Sequence, residues 1–164
     1  MSAGAPAAVV AALRAHASRP AVAEYACWAI TNLAVGSEGQ AVCISAGAPA
    51  AMVMALRAHA SSPAVAEHAC WAIHNLAVGS EGRAVCISAG APAAVAAALR
   101  AHASSPAIAE HACKAIHNLA GGSEGRAACA SAGAVAAVVS AQAQHRSVAS
   151  VADACGAALA RLRL

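Results

Sequence analysis

Residues 80–122 read SEGRAVCISAGAPAAVAAALRAHASSPAIAEHACKAIHNLAGG, and that stretch decides the fold. Its apolar residues fall at helical rather than strand spacing in three segments. The first runs about 81–89, with Ser80 suited to the N-cap, Glu81 in the first turn and Gly90 at the end. The second runs about 92–103. Pro92 fits its first turn, where a missing N–H costs nothing, and Arg100 and His102 lie toward its carboxyl end, where the helix dipole favours positive charge. The third runs about 106–120, capped by Ser105-Pro106 and stopped by Gly121-Gly122.

The unit recurs along the chain. Ser2-Ala3-Gly4 returns at Ser45-Ala46-Gly47, Ser88-Ala89-Gly90 and Ser131-Ala132-Gly133, each step being 43 residues. Residues 2–44 and 45–87 differ at six positions, so 37 of 43 match. Self-similarity at this period predicts an all-α solenoid, in which each unit packs only on its neighbours. The reading is a single domain over residues 1–164: a partial unit at 1–36, full units at 37–79 and 80–122, and a diverged unit at 123–164. That last unit departs at Gln142, Gln144, His145, Arg146, Arg161 and Arg163. Neither end carries a plainly polar outer face, which makes end-to-end association of copies a second expectation.

Composition excludes several classes. The net charge of +3 is spread over nine Arg and Lys114 without a basic block, so nucleic acid is not an expected partner. The longest uncharged runs, such as Ala41–Leu56, are interrupted by Gly47 and Pro49 and are too short for a bilayer, so no membrane partner is expected. The apolar start resembles a leader only because the repeat begins there, and no targeting segment is read. Six of the seven Cys form two ladders, Cys27, Cys70, Cys113 and Cys43, Cys86, Cys129, and Cys155 stands off both. The odd count and the absence of CxxC point to free core thiols in a reducing compartment, cytoplasmic or nuclear, with no metal site and no cofactor. No Gly-rich phosphate loop, paired carboxylates or nucleophile motif occurs, so catalysis is not expected and no residue is read as catalytic.

The third helix carries the informative face. Over Pro63–Val78, Val65, Ala66, Ala69, Cys70, Ile73, Leu76 and Ala77 gather on one side at about 100° per residue. Glu67, His68, Trp71, His74 and Asn75 gather on the other. The chain has no Phe and one Tyr, yet its two Trp, Trp28 and Trp71, share one ladder position on that polar side. Two readings stand: a contact surface, or packing of the indoles against the adjoining third helix. Four residues after each ladder position comes Asn32, Asn75 or Asn118, stacked over it on the same face. An amide that donates and accepts suits the backbone of an extended chain, and it equally suits a solvated helix end.

These residues resemble those of an armadillo repeat of the importin-α and β-catenin type. The shared features are a three-helix unit of this length, an Ala-Gly-Ala-Pro junction and Trp-x-x-x-Asn, present as Trp28-Ala-Ile-Thr-Asn32 and Trp71-Ala-Ile-His-Asn75. The resemblance implies a right-handed superhelix whose third helices line a concave groove for an extended peptide or disordered segment. It implies that Asn32, Asn75 and Asn118 clamp the peptide backbone and that Trp28 and Trp71 frame a slot for a basic side chain. Lys114 replaces Trp in the third motif, where it would repel a basic side chain and could pair instead with a peptide carboxylate, and Ala157 and Arg161 lose the motif in the last unit. Glu24, Glu67 and Glu110, one turn earlier, would favour basic peptides or merely complement the helix dipole. Tyr25, His68 and His111 border the same positions, as His74 and His117 border the Asn residues, and these His either tune binding by pH or lie idle on the surface. His16, His59, His102 and His145 read as residues at helix carboxyl ends.

Overall fold

A computed structural model describes residues 4–163, all of whose regular elements are helices. They are α1 (Gly4–Ala15), α2 (Pro20–Leu33), α3 (Gly36–Ser45), α4 (Ala48–Ala58), α5 (Pro63–Leu76) and α6 (Gly79–Ser88). The remainder are α7 (Ala91–Ala101), α8 (Pro106–Leu119), α9 (Ser123–Ser131), α10 (Ala134–Gln144) and α11 (Ala149–Leu162). Like helices pack on like. The third helices α2, α5, α8 and α11 form one row, the second helices α1, α4, α7 and α10 another, and the first helices α3, α6 and α9 a third. One apolar core runs the length of the stack, built of Ala, Val, Leu, Ile, Met and Cys. Among the described residues no single helix is long and apolar enough to cross a membrane.

Local chemistry accounts for most of the helix ends. Ser62 and Ser105 cap α5 and α8, their hydroxyls accepting from Val65 N (3.4 Å) and Ile108 N (3.3 Å), with Pro in the first turn. Gly47, Gly90 and Gly133 turn first helices into second ones at φ of 78°, 85° and 70°, a backbone region that favours glycine. The expected Ser80 N-cap does not form. Helix α6 opens two residues earlier on Gly79, whose φ of 79° turns the chain straight out of α5, and the cap position passes to Val78 without a side-chain bond.

Side-chain bonds to backbone carbonyls tie successive units together. His59, His102 and His145, each the C-cap of its second helix, donate from Nε2 to the carbonyls of Ala17 (2.8 Å), Ala60 (3.0 Å) and Ala103 (2.7 Å) in the preceding unit. This ladder does more than complement a dipole, because it joins adjacent units. Within a unit, Gln40 on α3 donates to the carbonyls of Leu76 (2.9 Å) and Val78 and so satisfies the end of α5. All seven Cys are free and buried. Cys155 is not isolated: its sulfur lies 3.4 Å from that of Cys113. It falls 42 rather than 43 residues on, and facing third helices bring residues of either separation together.

Candidate functional site

The third-helix row brings the sequence-derived residues onto one face. Trp28 on α2 and Trp71 on α5 are 51% and 38% exposed, although each helix buries its opposite stripe completely at Cys27, Ile30, Cys70 and Ile73. Large aromatics left in solvent on a chain otherwise cored with aliphatics are the unusual feature of this surface. Trp71 is held flat: its indole stacks on the His111 ring of α8, with centroids 4.6 Å apart and planes 7° from parallel. The packing reading of this ladder is met at Trp71. One face of the indole is covered from α8, and the residue remains 38% exposed.

The Asn ladder is oriented by the stack itself. Asn75 donates from Nδ2 to the Thr31 carbonyl of α2 at 3.0 Å, and Asn118 donates to the His74 carbonyl of α5 at 2.9 Å. Asn118 also donates to His74 Nδ1 at 3.0 Å, which commits both of its amide hydrogens. Asn32 has no third helix before it among the described residues and donates to the Trp28 carbonyl of its own helix at 2.9 Å. No hydrogen bond occupies the Oδ1 of Asn32, Asn75 or Asn118 among the described residues. Each amide is fixed through its nitrogen and presents an acceptor. Thr31 adds a further tie, its hydroxyl lying 3.0 Å from the Cys27 carbonyl and 3.1 Å from the His68 carbonyl.

The histidines fall in two layers. Nδ1 of His68 and of His111 is buried without a hydrogen-bond partner, whereas Tyr25 at the same position is 63% exposed. Burial lowers the pKa of His111, partly offset by the Glu110 and Glu67 carboxylates. Burial likewise lowers the pKa of His74, offset in part by a hydrogen bond with the Lys114 backbone and reinforced by the nearby charges of Lys114, His111 and His117, while its Nδ1 accepts from Asn118. His117 donates from Nδ1 to the Ala157 carbonyl at 3.1 Å and ties α8 to α11.

The third step is a polar cleft. Lys114 is paired with Glu110 one turn earlier on α8, so neither faces the groove as a lone charge. The hydrogen bond from Lys114, then that from Ser150, holds the Glu110 carboxyl below its ordinary value. These residues, with His74, His117 and Asp153, line a cavity of about 390 Å³ between α5, α8 and α11. The cleft thus sets two carboxylates, Glu110 and Asp153, beside the single ammonium of Lys114. Asp153 was missed in the sequence, although it stands 43 residues after Glu110 and completes the acidic ladder Glu24, Glu67, Glu110. Arg161, at the lost Asn position, is partly buried with Nε unpartnered. Among the described residues no group of three or more His, Cys, Asp or Glu is placed to hold a metal ion.

Known proteins share this architecture. The family model described as LRRK2 ARM repeat matches residues 5–162. The designed armadillo repeat protein YIII(Dq)4CqI superposes with a TM-score of 0.83 at 31% identity, over 97% of this chain and 65% of that one. Armadillo repeat proteins designed for modular peptide recognition give a TM-score of 0.82 at 30% identity, over 96% and 64%. A further design, YIII(Dq.V1)4CPAF, was solved in complex with the peptide (KR)4 and matches at 26% identity and a TM-score of 0.53, over 97% and 82%. The chain spans just under two thirds of several engineered structures that it matches, at 63%, 64% and 65% of their length. No curated protein matches the chain.

Proposed function

The chain belongs to the armadillo-repeat family, and on that premise we propose that it is a non-enzymatic module that binds an extended peptide segment along its third-helix row. The observation that carries this reading is the ladder of exposed Trp and pre-oriented Asn on α2, α5 and α8. Third helices lie ~8–10 Å apart, and an extended chain covers ~3.3–3.6 Å per residue. One Asn acceptor per helix therefore meets a peptide N–H every two to three residues. Trp28 and the exposed part of Trp71 offer the stem of a Lys or Arg side chain a cation–π surface worth about 0.5–2 kcal/mol. Beyond them the Glu110–Asp153 cleft continues the preference for positive charge. A related design bound to (KR)4 supports a basic peptide as the partner. With two full steps and one altered one, micromolar or weaker affinity is expected. The free buried thiols suit a reducing compartment, the cytoplasm or the nucleus.

Titration with (KR)4 and an acidic control, followed by Trp fluorescence, tests this. Saturable binding of the basic peptide alone is expected. Asn75→Ala should weaken it by about 1 kcal/mol whatever the side chains, and Trp71→Ala should chiefly erase the preference for basic over acidic peptide. If both variants bind like the parent, the groove reading is wrong.

A further inference from the structure

Two exposed valines serve neither the core nor the helix ends. Val35 and Val78 hold one ladder position, three residues after Asn32 and Asn75, and are 66% and 53% exposed. Val78 has described units on both sides of it, so its exposure belongs to the interior of the stack. Each is the N-cap of a first helix, α3 or α6, and makes no side-chain bond there. The N-cap favours Ser, Thr, Asp or Asn, whose oxygen accepts from the first turn, and Val is among the poorest residues for it. Neither capping nor core packing accounts for valine at these two positions.

The two side chains border one cavity. With Gln40 and Asn75 they line a hollow of about 230 Å³ between the α2–α3 turn and the end of α5, to which no charged side chain contributes among the described residues. Its polar floor is already paired, because Gln40 donates to the carbonyls of Leu76 and Val78. Asn75 belongs both to this cavity and to the Trp–Asn ladder. Along α5, Trp71 precedes Asn75 by about 6 Å, and Val78 follows it just past the helix end. The Trp28–Trp71 pair and the Val35–Val78 pair therefore lie on opposite flanks of the Asn residues. Successive side chains of an extended peptide likewise point to opposite sides of its backbone.

We infer that Val35 and Val78 form an apolar subsite for a side chain of Val or Leu size, adjacent in the peptide to the basic residue held by Trp28 and Trp71. The inference rests on the groove reading above and adds a sequence preference to it: a basic residue followed or preceded by an apolar one. A purely basic peptide places a charged side chain against the two valines, where no carboxylate lines the cavity to receive it. The next joint lacks the subsite. There Gly121 replaces the second valine and Arg83 replaces Gln40, and the Arg83 guanidinium fills the space beside Gly121. The apolar preference thus attaches to one peptide position and fixes the register of the peptide on the ladder.

Titration of the full chain with the peptides (KV)4, (KS)4 and (KR)4, followed by Trp fluorescence, tests this. The parent should bind (KV)4 roughly five- to tenfold more tightly than (KS)4, because burying an isopropyl group is favourable and burying a hydroxymethyl group is not. Val35→Ser and Val78→Ser each place a favoured residue at an N-cap, so both variants should fold. Each should bring the affinity for (KV)4 down toward that for (KS)4. Equal affinity of the parent for (KV)4 and (KS)4 overturns the subsite and leaves the groove reading standing, as does a loss in Val78→Ser that falls equally on both peptides. Binding of (KR)4 with no binding of (KV)4 or (KS)4 overturns it as well. Failure of all three peptides removes the groove reading, and the subsite with it.

Discussion

At Gly82 a single methyl group decides whether two helices can meet. A Cβ there would collide with the Leu76 carbonyl oxygen at the end of α5, and one at Gly125 would strike the Leu119 oxygen at the end of α8. The obstacle is backbone, which cannot swing aside as a side chain does. Gly82→Ala should therefore lower stability by about 1–3 kcal/mol. Gly156 is the internal control. It lies mid-helix in α11 with open space around its Cβ position, so Gly156→Ala should raise stability by about 0.5–1 kcal/mol. Thermal melts of both variants in dilute solution read the two opposite signs, and equal effects would refute the packing argument. Gly121 stands where the earlier units have Val35 and Val78, and there the obstacle is a movable one: Arg83 Nη1 fills the volume its Cβ would take. Arg83 in turn stands where Gln40 does, so the two substitutions belong together. The glycines at helix ends were legible in the sequence, because their role is local. The demands on Gly82 and Gly121 were not, since the atoms they avoid lie on other helices.

Between elements, the third-helix row depends on a neutral imidazole. His74 Nδ1 accepts from Asn118 only while unprotonated, and burial with nearby Lys114, His111 and His117 lowers its pKa. A folded-state pKa below that of the unfolded chain means the unfolded state takes up protons first. Stability is thus full above the ordinary His value of ~6.5 and declines as pH falls through it toward the folded value. His111, also lowered, adds to the same slope. The preceding unit supplies the control residue: Thr31 holds the equivalent position, and its carbonyl still receives Asn75. In thermal melts at neutral and mildly acid pH, His74→Thr should lose less stability on acidification than the parent. An unchanged slope would show that His74 titrates in the fold as it does in the unfolded chain. The helices themselves, their Ser-Pro caps and the buried stripe were readable from spacing, because those signals repeat within four residues. The His59, His102 and His145 ladder and the Gln40 brace were not. Their partners are backbone carbonyls 35 to 42 residues away, which no side-chain pattern marks.

At the scale of the molecule, stability is carried by joints between units. A unit's third helix buries its apolar stripe against neighbouring third, second and first helices, and its polar ties run to the units before and after it. A stack of this kind behaves as a line of weak units held by nearest-neighbour terms. Lengthening the line should then stabilise it more than an isolated unit's own stability would suggest. Inserting a second copy of residues 37–79 after Gly79 tests this, since every new joint reuses contacts already present. The added His59 faces the Ala60 carbonyl as His102 does, the added Asn75 faces the His74 carbonyl as Asn118 does, and the added His68 lies where His111 meets Trp71. The longer chain should unfold in one transition, at a higher midpoint and with a steeper denaturant dependence in proportion to the extra buried surface. It also gains a third Trp–Asn step, so (KR)4 should bind more tightly. Two separate transitions, or an unmoved midpoint, would mean that the units are independent, and the ladder of His and Asn bonds between them would then carry no coupling.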